Sequence, residues 1–380
     1  MDVFNVVDQY GHKINNGGEL VDQIQKTLKT RECSLRLRRF VEDIESLGER
    51  LTFIELIGVD RPGLLSEIYA VLADMKCNVV ASMAWTHGSR LASILYITDE
   101  VSRLPIDNPI RLNKIKGILQ YVLELHHDKP GVAHTVVMIT IDGINIERRL
   151  HQMLYEDRDY NTMKNDEGDQ QKVMPMVTIE QYADRLYSVV NVQCKNRPKL
   201  LFDVVCTLTD MKYVIFHANI SCSGPDGSEA NQEYYIRHLD GTPVNFEQEK
   251  LRIIQCLKAA IKRRGYEGIK LEVLGEDRHG LLSDATRIFR EYGLTVTEAD
   301  VRTRGTQAVN VFYVADPSGN PLSSEIIGAM GDDMRKKVLL TVKKSNIGMK
   351  EIVHFSLRSM IRSSSEKLLQ NLGFFKNYDI

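Results

Sequence analysis

The sequence lacks the features that would place the protein in several large classes. Its six cysteines include no CxxC pair and no metal-ligand spacing, and the 380 residues contain one tryptophan. No apolar run reaches the roughly 18 residues that a membrane helix needs. The formal net charge of −2 gives no field that would attract nucleic acid or an acidic membrane. We therefore expect reduced and mostly buried thiols, a cytoplasmic or nuclear protein, no membrane span and no nucleic-acid partner.

The patterns of common enzyme classes are also missing. There is no Walker loop and no GxSxG elbow. His126-His127-Asp128 has metal-ligand character, but no further His and Asp ligands stand at a suitable spacing. The charged group Glu147-Arg148-Arg149 is better explained as an interdomain contact than as catalytic. The sequence predicts a protein that is not an enzyme and that has no catalytic residue, cofactor or metal.

What the sequence does have is one six-residue motif in three copies. The copies are Asp60-Arg61-Pro62-Gly63-Leu64-Leu65, Asn196-Arg197-Pro198-Lys199-Leu200-Leu201 and Asp277-Arg278-His279-Gly280-Leu281-Leu282. Their arginines are separated by 136 residues (61 to 197) and by 217 residues (61 to 278). The same offsets match positions well beyond the motif, such as Tyr96 with Tyr313. A repeat of this length is a whole small domain.

Each copy opens a module with the same predicted order of elements. In the module that follows residue 50, helical spacing predicts helices over Gly63–Met75 and Ile110–Leu125. Strands are predicted over Thr52–Val59, Asn78–Thr86, Leu91–Thr98 and Thr135–Ile141. This β-α-β-β-α-β order is the ferredoxin-like split βαβ unit. We therefore predict an α+β fold of tandem βαββαβ modules, each an antiparallel sheet with helices on one face.

We divide the chain into six segments. Residues 51–141, 186–268 and 269–344 form the second, third and fourth modules, and residues 1–32 match only the later part of a repeat and form a truncated first module. Residues 142–185, with the polar stretch Asn161–Lys172, are predicted to be a flexible linker, and residues 345–380 a tail. Only one strand, Ile269–Gly275, lies where the third and fourth modules would need two. We therefore predict that these modules share it or that one of them is incomplete.

The motifs carry a resemblance to a known family. The three turns, together with Glu147-Arg148-Arg149-Leu150-His151-Gln152-Met153 and Gln232-Glu233-Tyr234-Tyr235-Ile236-Arg237-His238, resemble the plant ACT-domain-repeat proteins, which carry four ACT modules. The modules are also similar to the C-terminal ACT pair of the bacterial PII uridylyltransferase/uridylyl-removing enzyme, a glutamine sensor. The resemblance implies a free amino acid as ligand, with glutamine as the first choice, bound at the turn after the first strand and at an interface between modules.

The candidate ligand site consists of the two turns that contain glycine. Free N–H groups at the start of a helix favour a carboxylate, and an acidic side chain can bind the α-ammonium group. Pro62 suits the first helical position, and Lys199, in place of glycine, is expected to disable the third turn. Alternatively, the glycines only permit a tight turn, the arginines are solvated, and Asp60 and Asp277 are helix N-caps. The predicted ligand-binding residues are Asp60, Arg61, Gly63, Leu64, Leu65, Asp277, Arg278, Gly280, Leu281 and Leu282.

Two functions from different classes follow. The first is a non-catalytic regulatory sensor in which an amino acid binds between ACT modules, shifts their packing and so signals to a regulatory protein partner. The second is a protein-interaction scaffold without a metabolite ligand. The sequence identifies neither the partner nor the oligomeric state, so a homodimer stays open.

Overall fold

The computed structural model describes residues 51–125, 133–140, 145–161, 175–181, 185–224, 227–264, 268–318, 322–338 and 341–345. All of these residues belong to one compact unit, Arg36–Asn346. The predicted first module, the group His126-His127-Asp128 and residues 346–380 of the predicted tail lie outside the described residues.

The second module has the predicted order of elements. They are β1 (Leu51–Val59), α1 (Leu64–Asp74), β2 (Cys77–His87), β3 (Arg90–Asp99), α2 (Pro109–Glu124) and β4 (His134–Thr140). Leu64, Ile68 and Leu72 share one face of α1 and are buried. The side chain of Asn108 caps α2 by accepting hydrogen bonds from two first-turn N–H groups, and proline follows it at the first helical position. The ferredoxin-like α+β prediction is confirmed.

The segment that we predicted to be a flexible linker contains two regular elements. They are α3 (Ile146–Glu156) and β5 (Met176–Gln181). Both have a signal in the sequence, since Ile146, Leu150 and Met153 have helical spacing, while Val177 and Ile179 alternate with polar residues as in a half-buried strand. The linker prediction is therefore wrong for these two elements.

The third module completes its sheet with β5. Its other elements are β6 (Ser188–Lys195), α4 (Leu200–Asp210), β7 (Tyr213–Ser223), β8 (Glu229–His238) and α5 (Glu247–Lys262). The strand order is β5-β6-β8-β7, so β5 lies beside β6 as β4 lies beside β1 in the second module. The position that a shared strand would have filled is thus taken by a strand that precedes the module. The prediction that the third and fourth modules share Ile269–Gly275 is wrong.

The fourth module pairs with the second. Its elements are β9 (Ile269–Glu276), α6 (Leu281–Glu291), β10 (Thr295–Arg304), β11 (Gln307–Ala315), α7 (Ser324–Asp333), a π-helical turn (Met334–Val338) and β12 (Thr341–Ser345). The two modules form one eight-stranded sheet in the order β12-β9-β11-β10-β2-β3-β1-β4. Antiparallel pairing of β2 with β10, from Glu298 opposite Trp85 to Arg302 opposite Ala81, joins the two halves.

Both faces of the second module's half of this sheet are covered. Residues such as Leu56 pack with α1, α2 and α6 into one hydrophobic core. On the opposite face, Phe53 and Trp85 pack against Leu150 and Leu154 of α3. The helices of a module do lie on one face, as predicted, but α3 adds a further layer behind the sheet.

Candidate functional site

The three repeated motifs form the same turn. The residue before each helix, which is Gly63, Lys199 or Gly280, has left-handed backbone geometry with φ of 84°, 64° and 76°. The next N–H group donates to the carbonyl three residues back, at 3.1, 3.4 and 3.2 Å. This is the geometry of a type II turn, whose third position favours glycine because it requires positive φ.

The helices after the two glycine turns begin without a side-chain cap. α1 and α6 start at Leu64 and Leu281, and the residue at each N-cap position is a glycine, which has no side chain to cap the helix. The alternative that Asp60 and Asp277 are N-caps is therefore wrong, as is the placement of Pro62 at the first helical position. The N–H groups of Leu64 and Leu281 bond to the turn carbonyls, and the N–H groups that follow receive no side-chain cap.

Each turn arginine binds an acidic residue six positions later. The pairs are Arg61–Glu67 at 2.8 and 2.5 Å, Arg197–Asp203 at 2.6 Å and Arg278–Asp284 at 2.7 Å. Arg61 and Arg197 also donate to carbonyls near the end of the second helix, those of Val122 and Ile261, at 3.2 and 2.8 Å. These arginines hold the turn to the helices. The three acids recur at the same offsets as the arginines, so the sequence already contained a signal for the pairs.

The leucines after the glycine turns belong mainly to the hydrophobic core. Leu64 and Leu281 are buried in one cluster with Leu65, and Leu282 packs partly against it. Leu201, in the third module, is 42% exposed and does not follow this pattern. Among the predicted site residues, the turn's acidic residue and glycine are therefore the groups left to meet a ligand.

An approximate two-fold axis relates the second and fourth modules. The repeat offset of 217 makes Met83 equivalent to Asp300, and these two residues pair with each other between β2 and β10. The pairs on either side are symmetric as well, because Trp85 and Arg302 are equivalent, as are Ala81 and Glu298. Each module therefore presents its turn to the first helix of the other.

Arg290 closes the turn of the second module. A Cβ atom added to Gly63 would lie 2.4 Å from Cδ of Arg290. The cavity between them, which Asp60 also lines, measures about 10 Å³, so it holds one water molecule at most. Burial raises the pKa of Asp60 to about 6, although the backbone N–H group and the positive charge of Arg61 both act to lower it.

The turn of the fourth module is open. Among the residues that the structure describes, none lies within 4 Å of a Cβ atom added to Gly280. Across the interface, Glu100 of the second module has Oε1 at 3.4 Å from Nδ1 of His279. Burial raises the pKa of Asp277, while the positive charge of Arg103 opposes the increase. Within the described residues, no side chain forms an ion pair with Asp277. The open turn thus has the carboxylates of Asp277 and Glu100, the cation of Arg103 and the N-terminus of α6 close to it.

In the third module, an internal carboxylate binds the side chain of the residue at the glycine position. Lys199 donates to Oε1 of Glu147, the second residue of α3, and Arg264 lies 3.1 Å from Oε2. Burial disfavours the ionised form of Glu147, but the charges of Arg264 and Lys199 outweigh burial and lower its pKa. Burial also raises the pKa of the nearby Glu298, on β10, to about 7 although Arg264 opposes it.

α3 binds both the second and the third module. Arg149 donates two hydrogen bonds to Glu55 of β1, at 2.6 and 2.9 Å. Its neighbour Arg148 donates to Asp210 of α4 at 2.7 Å. The prediction that the group Glu147-Arg148-Arg149 makes interdomain contacts is confirmed.

A buried histidine completes this connection. His151 accepts a hydrogen bond at Nδ1 from Arg263, 3.0 Å away, so its Nε2–H group donates to Asp203 at 2.8 Å. Burial lowers the pKa of His151 to about 4, and the ring is therefore neutral near pH 7. Asp203 also binds Arg197, so a continuous network links α3 to the turn of the third module.

The fold and the turns define ACT modules, and comparison with known proteins agrees. ACT domain models match residues 51–102 and 269–328. The chain is 48% identical over 347 residues to ACT domain-containing protein ACR4 of Arabidopsis thaliana, covering 90% of this chain and 74% of that protein. It is 45% identical over 349 residues to ACT domain-containing protein ACR3 of the same plant, covering 90% and 76%. The chain therefore belongs to the ACR family of ACT domain-containing proteins.

Membership of this family supports a regulatory, amino-acid-binding role and points away from catalysis. The similarity to the PII uridylyltransferase stays a prediction. In the part of the chain that the structure describes, no helix is long and apolar enough to cross a membrane. Within the same residues, no group of three or more His, Cys, Asp and Glu side chains could hold a metal ion.

Proposed function

We propose that the protein is a non-catalytic amino-acid sensor that binds one free amino acid at the turn Asp277–Gly280, where the fourth module faces the second. The observation that carries this proposal is the difference between the three turns. Gly63 is covered by Arg290 and Lys199 is paired with Glu147, whereas no described residue covers Gly280.

The open turn suits the two charges of an amino acid. The α-carboxylate would lie at the N-terminus of α6, where free N–H groups, the helix dipole and Arg103 favour an anion. The α-ammonium group would bind Asp277 and Glu100. Asp277 is partly buried, so a ligand cation would stabilise its ionised form. Glutamine is the first ligand to test, on the family resemblance alone.

A ligand at this turn would contact two modules at once and could therefore change how they pack. Signalling requires that the ligand binds one arrangement of the modules more tightly than another. α3 connects the second module with the third and provides a route for the change. We propose that a regulatory protein partner in the cytoplasm or nucleus responds to this change in packing. The five described cysteines are all free, and four are buried, in keeping with a reducing compartment.

The first experiment is a thermal-unfolding screen of the full chain against the twenty amino acids, followed by calorimetric titration of the strongest ligand. A ligand that binds the folded state raises the melting temperature. Asp277→Asn should weaken binding about tenfold or more, because it removes a charge-assisted hydrogen bond. Asp60→Asn, the equivalent change at the closed turn, is the matched control and should leave affinity within about twofold.

Equal loss of affinity in both variants would overturn the assignment to the fourth module. If no amino acid stabilises the folded protein, the scaffold function replaces the sensor function.

A further inference from the structure

The third turn keeps a lysine where the backbone favours glycine. Lys199 has φ of 64° and ψ of 8°, in the left-handed region that its Cβ atom disfavours. The equivalent residues of the second and fourth modules are Gly63 and Gly280. A strained residue persists where the surrounding structure holds it, and such strain is a reason to look for a role of the side chain.

The side chain of Lys199 has a specific partner outside its own module. Its ammonium group donates to Glu147, which lies in the first turn of α3, and Arg264 approaches the other carboxylate oxygen at 3.1 Å. Arg264 is 3% exposed, and its guanidinium lies over the Trp85 ring of β2 with Cζ 4.5 Å from the ring centroid. One carboxylate is therefore held by two cations at the turn that corresponds to the open turn of the fourth module.

We infer that α3 is a latch whose Glu147 carboxylate binds the third-module turn through the Lys199 side chain, and that this contact helps to fix the third module to the paired second and fourth modules. The inference concerns a contact within the chain. It stands whether or not the fourth module binds a free amino acid.

The position of α3 explains why this contact can act as a latch. The helix is fixed to the second module by the Arg149–Glu55 pair and by its apolar face, which packs on Phe53 and Trp85. Glu147 reaches from the start of the same helix to the third module. Removal of this carboxylate should therefore weaken the attachment of α3 to the third module, to which Arg148–Asp210 and His151–Asp203 also contribute, while the apolar packing on the second module remains.

The latch can be tested by removing the carboxylate and supplying one in solution. In the full-length variant Glu147→Ala, amide hydrogen exchange should speed up in the first turn of α4. Replacing chloride by acetate at constant ionic strength should slow exchange again and raise the melting temperature, since acetate can occupy the vacated position. Glu156→Ala is the matched control, because Glu156 is on the same helix, its side chain is 64% exposed, and its one ion pair among the described residues is with Arg149 of the same helix at 3.5 Å. The control should show neither the faster exchange nor a specific acetate response.

A mutant cycle keeps the inference testable if Glu147→Ala does not fold. Glu147→Gln, Lys199→Gln and the double variant should show coupling, so that the double variant melts at a temperature close to that of the less stable single variant. Additive losses in the cycle, or an acetate response of Glu147→Ala equal to that of Glu156→Ala, would overturn the latch.

Discussion

Ala73 of α1 and Arg290 of α6 are equivalent residues, 217 positions apart (73 to 290), on opposite sides of the two-fold axis between the second and fourth modules. Arg290 lies at the turn of the second module, and by the same axis we expect residue 73 to face the turn of the fourth. The arginine covers Gly63, and the space beside Gly280 is open. One difference between two equivalent positions thus distinguishes a closed turn from an open one.

Arg290→Ala should open the second turn. The substitution gives α6 the residue that α1 has at the equivalent position, and it exposes Asp60 and Gly63 to solvent. We expect calorimetric titration to give two amino acids bound per chain in place of one. Arg287→Ala, on the same helix and 49% exposed, is the control and should leave the stoichiometry at one. A stoichiometry of one in Arg290→Ala would mean that the arginine is not what closes this turn.

Asp60→Asn should stabilise the protein in a pH-dependent manner. The pKa of Asp60 is raised from 3.8 to about 6 in the folded state, so the free energy of unfolding decreases as pH rises through this window. Above pH 6, the ionised aspartate therefore lowers the free energy of unfolding by about 2 kcal/mol, after allowance for its partial exposure. Urea unfolding should show a gain of this order at pH 7.5 and almost none at pH 4. Asp107→Asn, at an exposed position, is the control and should change stability little at either pH. A gain in Asp60→Asn that is equal at pH 4 and pH 7.5 would contradict the explanation.

Leu150→Ala should destabilise the protein strongly. Leu150 is fully buried between α3 and the sheet, and truncation of such a leucine costs about 2–5 kcal/mol. Leu104→Ala, at a position that is 51% exposed, should change stability by less than about 0.5 kcal/mol. Urea unfolding of both variants measures the difference. A small effect at Leu150 would mean that α3 packs loosely, as the sequence first suggested.

The module fold could be predicted because its signals are local. Periodicity in β1 and α1 and the turn between them depend on residues close together in the sequence. The pairing of Met83 with Asp300 could not be predicted, because it depends on the register of two strands more than 200 residues apart. β5 was missed although Val177 and Ile179 alternate with polar residues, because a polar stretch precedes it and its place in the sheet of the third module was assigned to Ile269–Gly275.

The candidate site was predicted in part. The glycine turns were found, and their type II geometry follows from glycine at the third position, with proline before it in the second module and histidine before it in the fourth. The arginine pairs were missed even though the acid of each, such as Glu67, recurs at the repeat offset. The closure of Gly63 by Arg290 depends on the two-fold axis and therefore needed the structure.

The central claim is that one amino acid binds beside Gly280, and calorimetric titration of Ala73→Arg tests it most directly. This substitution places at the fourth-module turn the side chain that closes the second-module turn. Ala73 is partly exposed on α1, and arginine is a good helix former, so the variant should fold. We predict one bound amino acid per wild-type chain and none in Ala73→Arg, with both proteins giving the same melting temperature without ligand. Unchanged affinity and stoichiometry in Ala73→Arg would contradict the proposed site.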